Sequence, residues 1–166
     1  MAVRPIIKFP DPLLRTVADP VELFDSDLRN LAGDLIDTMH AAPGIGITAP
    51  HIGIMKRLVV IQVPPAAKPA IYVNPSIVEA STETIRHTEG SVSMPGVTED
   101  VERHARVRVR YQDLEGKEHL EDAEGLLAVC HQHEIDQLDG LFWTQRLSRL
   151  KRDRLIKRYG KLTRAS

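Results

Sequence analysis

One cysteine in 166 residues rules out an internal disulfide framework, since a bridge needs two thiols. A reducing compartment is the default for such a chain, so a cytoplasmic location is expected. Aromatic residues make up only 4% of the chain, too few for the stacking platforms of single-strand nucleic-acid binders. No charge sign dominates either. The 22 Lys and Arg stand against 23 Asp and Glu, for a net charge of −1, and no strong nucleic-acid signal follows. No apolar run reaches the roughly 20 residues of a membrane span. The start, Met1-Ala2-Val3-Arg4-Pro5, lacks the apolar stretch of a secretory signal, so no membrane partner is expected. The length suits one domain over residues 1–166 with a buried core of its own.

What is present begins with proline. Pro5, Pro10, Pro12 and Pro20 keep residues 3–20 out of a regular helix and predict an extended arm. From about Asp25 to Ala41, Leu28, Leu31, Ala32, Leu35, Ile36 and Met39 recur at helical spacing. Asp25 or Ser26 can cap that helix, and Pro43-Gly44 stops it. Arg57 to Val63 reads as a strand, ended by Pro64-Pro65. Ala70 to Val73 and Ile77 to Ala80 read as short strands around Asn74-Pro75. Thr84 to His87 leads into Glu89-Gly90-Ser91. Val101 to Tyr111 alternates as one half-buried strand, with Arg106, Arg108 and Arg110 on its solvated face. Gly116 turns the chain back as a hairpin. The spacing then predicts a helix from about Asp122 to Leu138, and a basic helix from Ser148 to Tyr159. The fold class expected is α+β: mainly antiparallel strands around one central helix.

The central helix carries Gln132-His133-Glu134-Ile135-Asp136-Gln137, in which positions 133, 134 and 137 share a face. A His-Glu-x-x-His segment there places two imidazoles on one metal, with the Glu beside the metal's water. This chain has Gln at the second ligand position. Upstream, Gly44-Ile45-Gly46 allows backbone to approach a ligand closely.

Three blocks together resemble the peptide deformylase family: Gly44-Ile45-Gly46-Ile47-Thr48-Ala49-Pro50-His51, Glu89-Gly90-Ser91-Val92-Ser93, and Glu124 through Gly140 with its His-Glu-x-x-Gln core. They fall in the family's order, and the resemblance covers nearly the whole chain. It implies metal-dependent hydrolysis of the N-formyl group from formyl-methionyl peptides in protein biosynthesis. It also implies a divalent iron or zinc, and an N-terminal peptide as substrate or ligand. Carried over residue by residue, Glu134 matches the general acid/base, and the Val92 N–H matches the backbone oxyanion donor. Gly46 matches the substrate-positioning glycine, and His51 stands where the family has an oxyanion-holding Gln. Gly44, Ile45, His87, Glu89, Leu126, Val129 and Cys130 match the substrate pocket. The metal positions are Ser91, His133 and Gln137.

The departures bear on the chemistry. The family's thiolate is replaced by the neutral Ser91 hydroxyl, and one imidazole by the Gln137 amide, both poor ligands. A weak or absent metal is expected, and reduced or lost activity with it. Three alternatives stay open at this point. His51 could join His133 and Glu134 around a metal, giving an active hydrolase with an altered shell. Cys130 and His133 could form a C-x-x-H pair, or Ser91 could act as a nucleophile with His133 or His51 as base. A further alternative is a non-catalytic binder of modified peptide N-termini. His40, His87, His104, His119 and His131 are expected to be surface or structural, with His87 making its pocket wall more polar. Asp136 is expected to anchor a neighbour. The basic C-terminal helix resembles the segment that some deformylases dock on the ribosome, so a ribosome contact is an expectation too.

Overall fold

The computed structural model describes residues 2–165; Met1, part of the N-terminal reading, and Ser166 lie outside the described residues. The N-terminal arm is extended apart from one short turn, Pro12–Arg15, as its prolines require. Helix α1 (Ser26–Ala41) starts on Asp25, whose carboxylate accepts from Leu28 N–H at 3.1 Å. Its stripe of Leu28, Leu31, Ala32, Leu35 and Met39 packs on Ile47, Leu58 and Val60.

Five antiparallel strands form the main sheet in the order β1-β2-β3-β6-β7, comprising β1 (Gly46–Thr48), β2 (Leu58–Ile61), β3 (Ala70–Ala80), β6 (Arg106–Gln112) and β7 (Glu118–Glu124). Strands β4 (Thr84–Ser91) and β5 (Met94–His104) make a separate two-stranded sheet. Helix α2 (Gly125–Leu138) runs between the sheets, and α3 (Arg149–Ala165) closes the chain. Phe142, Trp143, Leu155 and Tyr159 pack with Met94, Val97 and Val101, tying the C-terminal segment to β5. The α+β class is as expected. No helix among the described residues is long and apolar enough to cross a membrane.

Four sequence expectations need correction. Ala70 to Ala80 is one strand, because Asn74 adopts φ +50° and the register shifts between Val73 and Ser76 absorb Pro75. Val101 to Tyr111 is two strands, with the chain changing sheets at Ala105, whose N–H donates to Glu83 O. The alternation runs through the switch unbroken, which is why it reads as one element. Helix α2 starts three residues later than predicted: Asp122, Ala123 and Glu124 stay paired with β6, and Gly125 at φ +60° releases the chain. Last, α3 continues past Tyr159 to Ala165.

Candidate active site

Helix α2 is buried on nearly every side, so its polar side chains need partners inside the protein. Most have them. Gln132 accepts from His104 N–H and donates to His104 O, each at 2.9 Å. His131 Nε2 lies 2.7 Å from Glu121 Oε1. Asp136 receives Arg103 at 2.8 Å and the two arms of Arg146 at 2.9 and 2.8 Å, as the anchoring role expected of it requires. Gln137 Nε2 donates to Leu14 O of the N-terminal arm at 2.8 Å. Glu134 is the exception. Its Oε1 is buried with no hydrogen-bond partner among the described residues.

His133 Nδ1 lies 2.8 Å from Glu89 Oε1, and Arg103 grips the same carboxylate through two bonds of 2.7 and 2.8 Å. Burial alone would raise the Glu89 pKa, but the hydrogen bonds from Arg103 and His133 prevail and hold it at about 2. An ionised Glu89 fixes the proton of His133 on Nδ1 and leaves Nε2 as the ring's other nitrogen. Burial works against a charge on His133, yet the neighbouring Glu134 carboxylate and the bond to Glu89 raise its pKa on balance. Glu134 moves the same way: burial pushes it up to about 7, against the opposing charge of His133. A carboxylic acid poised near neutrality is suited to moving protons.

The two glycines of the first block make room. A Cβ on Gly46 would collide with Glu134 Oε2, and one on Gly44 would come within 2.9 Å of Val92 Cγ1. His51 sits on the short turn Ala49–Ile52, 1% exposed. Its Nδ1 accepts the Thr48 N–H at 2.9 Å and lies 3.0 Å from Thr48 Oγ1. That bond takes the lone pair of Nδ1, so the neutral ring carries its proton on Nε2. Burial, with the positive charges of His133 and Lys8 adding to it, lowers the His51 pKa to about 3.

Together these side chains line a cavity of about 720 Å³. Of the residues singled out from sequence, Gly44, Ile45, Gly46, His51, His87, Glu89, Ser91, Val92, Leu126, Val129, Cys130, His133 and Glu134 all line it. Gln137 does not; its side chain is turned to the arm. Sequence reasoning missed Ile6 and Lys8, which also line the cavity. The arm is docked by backbone bonds, Ile7 N–H to His51 O and Phe9 N–H to Ser93 O, both 2.8 Å, which leave no side-chain signature.

The donor set does not fit the divalent metal that the resemblance implies. His133 offers one suitable nitrogen, and Ser91 Oγ is a neutral hydroxyl accepting Ser93 N–H at 3.1 Å. Gln137 does not line the cavity and offers only a neutral amide oxygen, and His51 has no free lone pair on its Nε2 side. Cys130 is no thiolate, since burial pushes its thiol up to about 12. Among the described residues no three His, Cys, Asp or Glu side chains are grouped to hold a metal ion.

The family model described as polypeptide deformylase matches residues 3–153. A Brucella melitensis protein named peptide deformylase-like is 70% identical over 164 residues, covering 99% of this chain and 100% of that one. A Rhizobium meliloti protein named peptide deformylase is 46% identical over 164 residues, covering 97% and 94%. The crystal structure of a peptide deformylase from Legionella pneumophila superposes with a TM-score of 0.93 at 40% identity, covering 99% and 97%. Sequence along the whole length and superposition of the whole fold agree: the chain belongs to the polypeptide deformylase family.

Proposed function

We propose that this chain keeps the deformylase scaffold but has reduced or lost the hydrolysis of N-formyl groups from peptide amino termini. Gln137 carries the reading. At this family ligand position Nε2–H donates to Leu14 O and the residue does not line the cavity, which leaves at most a neutral amide oxygen, so two of three ligand positions contribute no strong donor. Closed zinc sites draw on roughly 10 kcal/mol or more of binding energy, and one imidazole supplies a small part of it.

The rival is an active hydrolase that holds its metal on His51, His133 and Glu134. It would need the His51 ring to turn over and give up its bond from Thr48 N–H. Among the described residues no imidazole is bonded to Ser91 Oγ, and the His51 ring with a pKa of about 3 is a poor base. The test is formate release from formyl-Met-Ala-Ser together with metal content. It is run on the wild type, on Ser91→Cys with Gln137→His, and on both with His51→Gln. The wild type should hold well under one iron or zinc per chain and release formate slowly, and the double variant should gain metal. Near-stoichiometric metal and fast formate release in the wild type would overturn the proposal.

A further inference from the structure

Strand β4 pairs Ile85 with Arg103, His87 with Val101 and Glu89 with Glu99, and directly opposed residues project from one face of a sheet. That face packs on α2, because Arg103 bonds Asp136 and Glu89 bonds His133. His87, two residues before Glu89, shares the face and lines the cavity together with Leu126 and Val129 of α2. Glu89 is already engaged, by two bonds from Arg103 and one with His133.

His87 is not. Its Nδ1 lies 2.9 Å from Thr88 O. A carbonyl oxygen only accepts, so the neutral ring carries its proton on Nδ1 and keeps a lone pair on Nε2. That nitrogen has no hydrogen-bond partner among the described residues. It is also not one of the buried unpartnered atoms, which are His51 Nε2, Ser93 Oγ, Glu134 Oε1 and Trp143 Nε1. The half-buried His87 ring therefore presents an accessible acceptor.

A side chain entering this part of the cavity meets Ile45, Leu126 and Val129 along its length and one acceptor in the wall. A wholly apolar chain covers Nε2 and gives it no bond, which weakens binding. A carboxylate or a sulfoxide brings a second acceptor. A carboxamide or hydroxyl on a short aliphatic stem suits both the apolar walls and Nε2.

We propose that His87 is a specificity-determining residue: its Nε2 accepts a hydrogen bond from the first side chain of a bound peptide and selects an uncharged donor, such as the glutamine carboxamide, over methionine. The inference rests on the reading of a kept deformylase scaffold and adds which peptides its cavity prefers. Glutamine is the informative case, because it has the reach of methionine with an N–H in place of the terminal methyl.

The experiment uses the full chain at pH 8 with a chelator, so that binding is read apart from hydrolysis. Calorimetry compares formyl-Gln-Ala-Ser, formyl-Met-Ala-Ser and the latter oxidised to its sulfoxide. The Gln peptide should bind about 2- to 10-fold tighter than the Met peptide, and the sulfoxide no tighter than Met. His87→Ile, a residue suited to a strand, should reverse the order of Gln and Met. Nitrogen-15 NMR of the wild-type ring should show a protonated Nδ1 and a bare Nε2 whose resonance moves toward the protonated range with the Gln peptide and not with the Met peptide. Any of four results would overturn the inference: a ring protonated on Nε2, Gln binding no tighter than Met, a Gln preference that survives in His87→Ile, or no binding of any of the peptides. The two readings fail separately. Fast formate release from formyl-Met-Ala-Ser sinks the loss of hydrolysis, and the Gln-to-Met ratio of kcat/KM then puts His87 to the same test. Slow release with Met bound tighter than Gln sinks this inference alone.

Discussion

Replacing Gln137 by Met removes one hydrogen-bond donor at nearly constant side-chain volume. Both partners of that bond lie in buried residues: Gln137 and Leu14 are each 1% exposed. Without the amide, the Leu14 carbonyl keeps no bond from α2, and an unsatisfied buried acceptor costs about 1–3 kcal/mol. Packing is nearly conserved, so little should be added to that figure. For a chain of this size the loss corresponds to a Tm drop of roughly 2–12 °C. Urea melts followed by circular dichroism and by Trp143 fluorescence measure it. Gln137→Glu should be worse, because it sets a carboxylate oxygen against the carbonyl. Gln137→His should also lose stability in chelator, yet regain it with zinc when combined with Ser91→Cys, since a ligand that binds only the folded state stabilises it. If Gln137→Met melts within about 0.5 kcal/mol of the wild type, the amide is not an anchor of the arm, and its loss as a ligand needs another explanation.

Two further outcomes follow from the geometry. Gly46→Ala puts a methyl against the Glu134 carboxylate, so it should cost about 1–3 kcal/mol in a urea melt; an unchanged melt would refute the close approach. Burial opposes the ionisation of Glu121, but hydrogen bonds from His131 and Tyr72 outweigh it and lower its pKa below 4.5. A carboxyl lowered on folding contributes stability that is fully present above the unfolded value and declines as pH falls through the folded one. Urea midpoints from pH 6 downward should therefore drop below about pH 4.5 less steeply in Glu121→Gln than in the wild type. Parallel slopes would show that Glu121 is not part of the acid response.

The parts legible in sequence are those written as local pattern. The α1 stripe with its Asp25 cap, the three blocks that meet at the cavity, and the anchoring of Asp136 are all of this kind. What stayed hidden depends on contacts remote in sequence. A change of sheet at Ala105 leaves alternation intact, and a bulge at Asn74 looks like a strand end. The direction of Gln137 is fixed by a carbonyl 123 residues away, and the tautomer of His51 by the backbone N–H of Thr48. Residue type announces that a ligand position has changed. It does not say what the new side chain does.

Three departures from the family pattern turn out to be engaged, each in a bond within the protein. Ser91 Oγ closes the turn on Ser93 N–H, Gln137 holds the arm at Leu14, and His51 Nδ1 takes the Thr48 N–H. A metal site needs strong, charged or imidazole donors converging on one point, whereas here Ser91 and Gln137 offer neutral oxygens and the His51 Nδ1 lone pair is taken by Thr48 N–H. Restoring one ligand alone would leave the other position with a neutral oxygen, which is why the restoration is designed on Ser91 and Gln137 together. Glu134 stands apart from this pattern. An unpartnered oxygen in a buried carboxyl is costly, and a glycine at position 46 is needed to accommodate it.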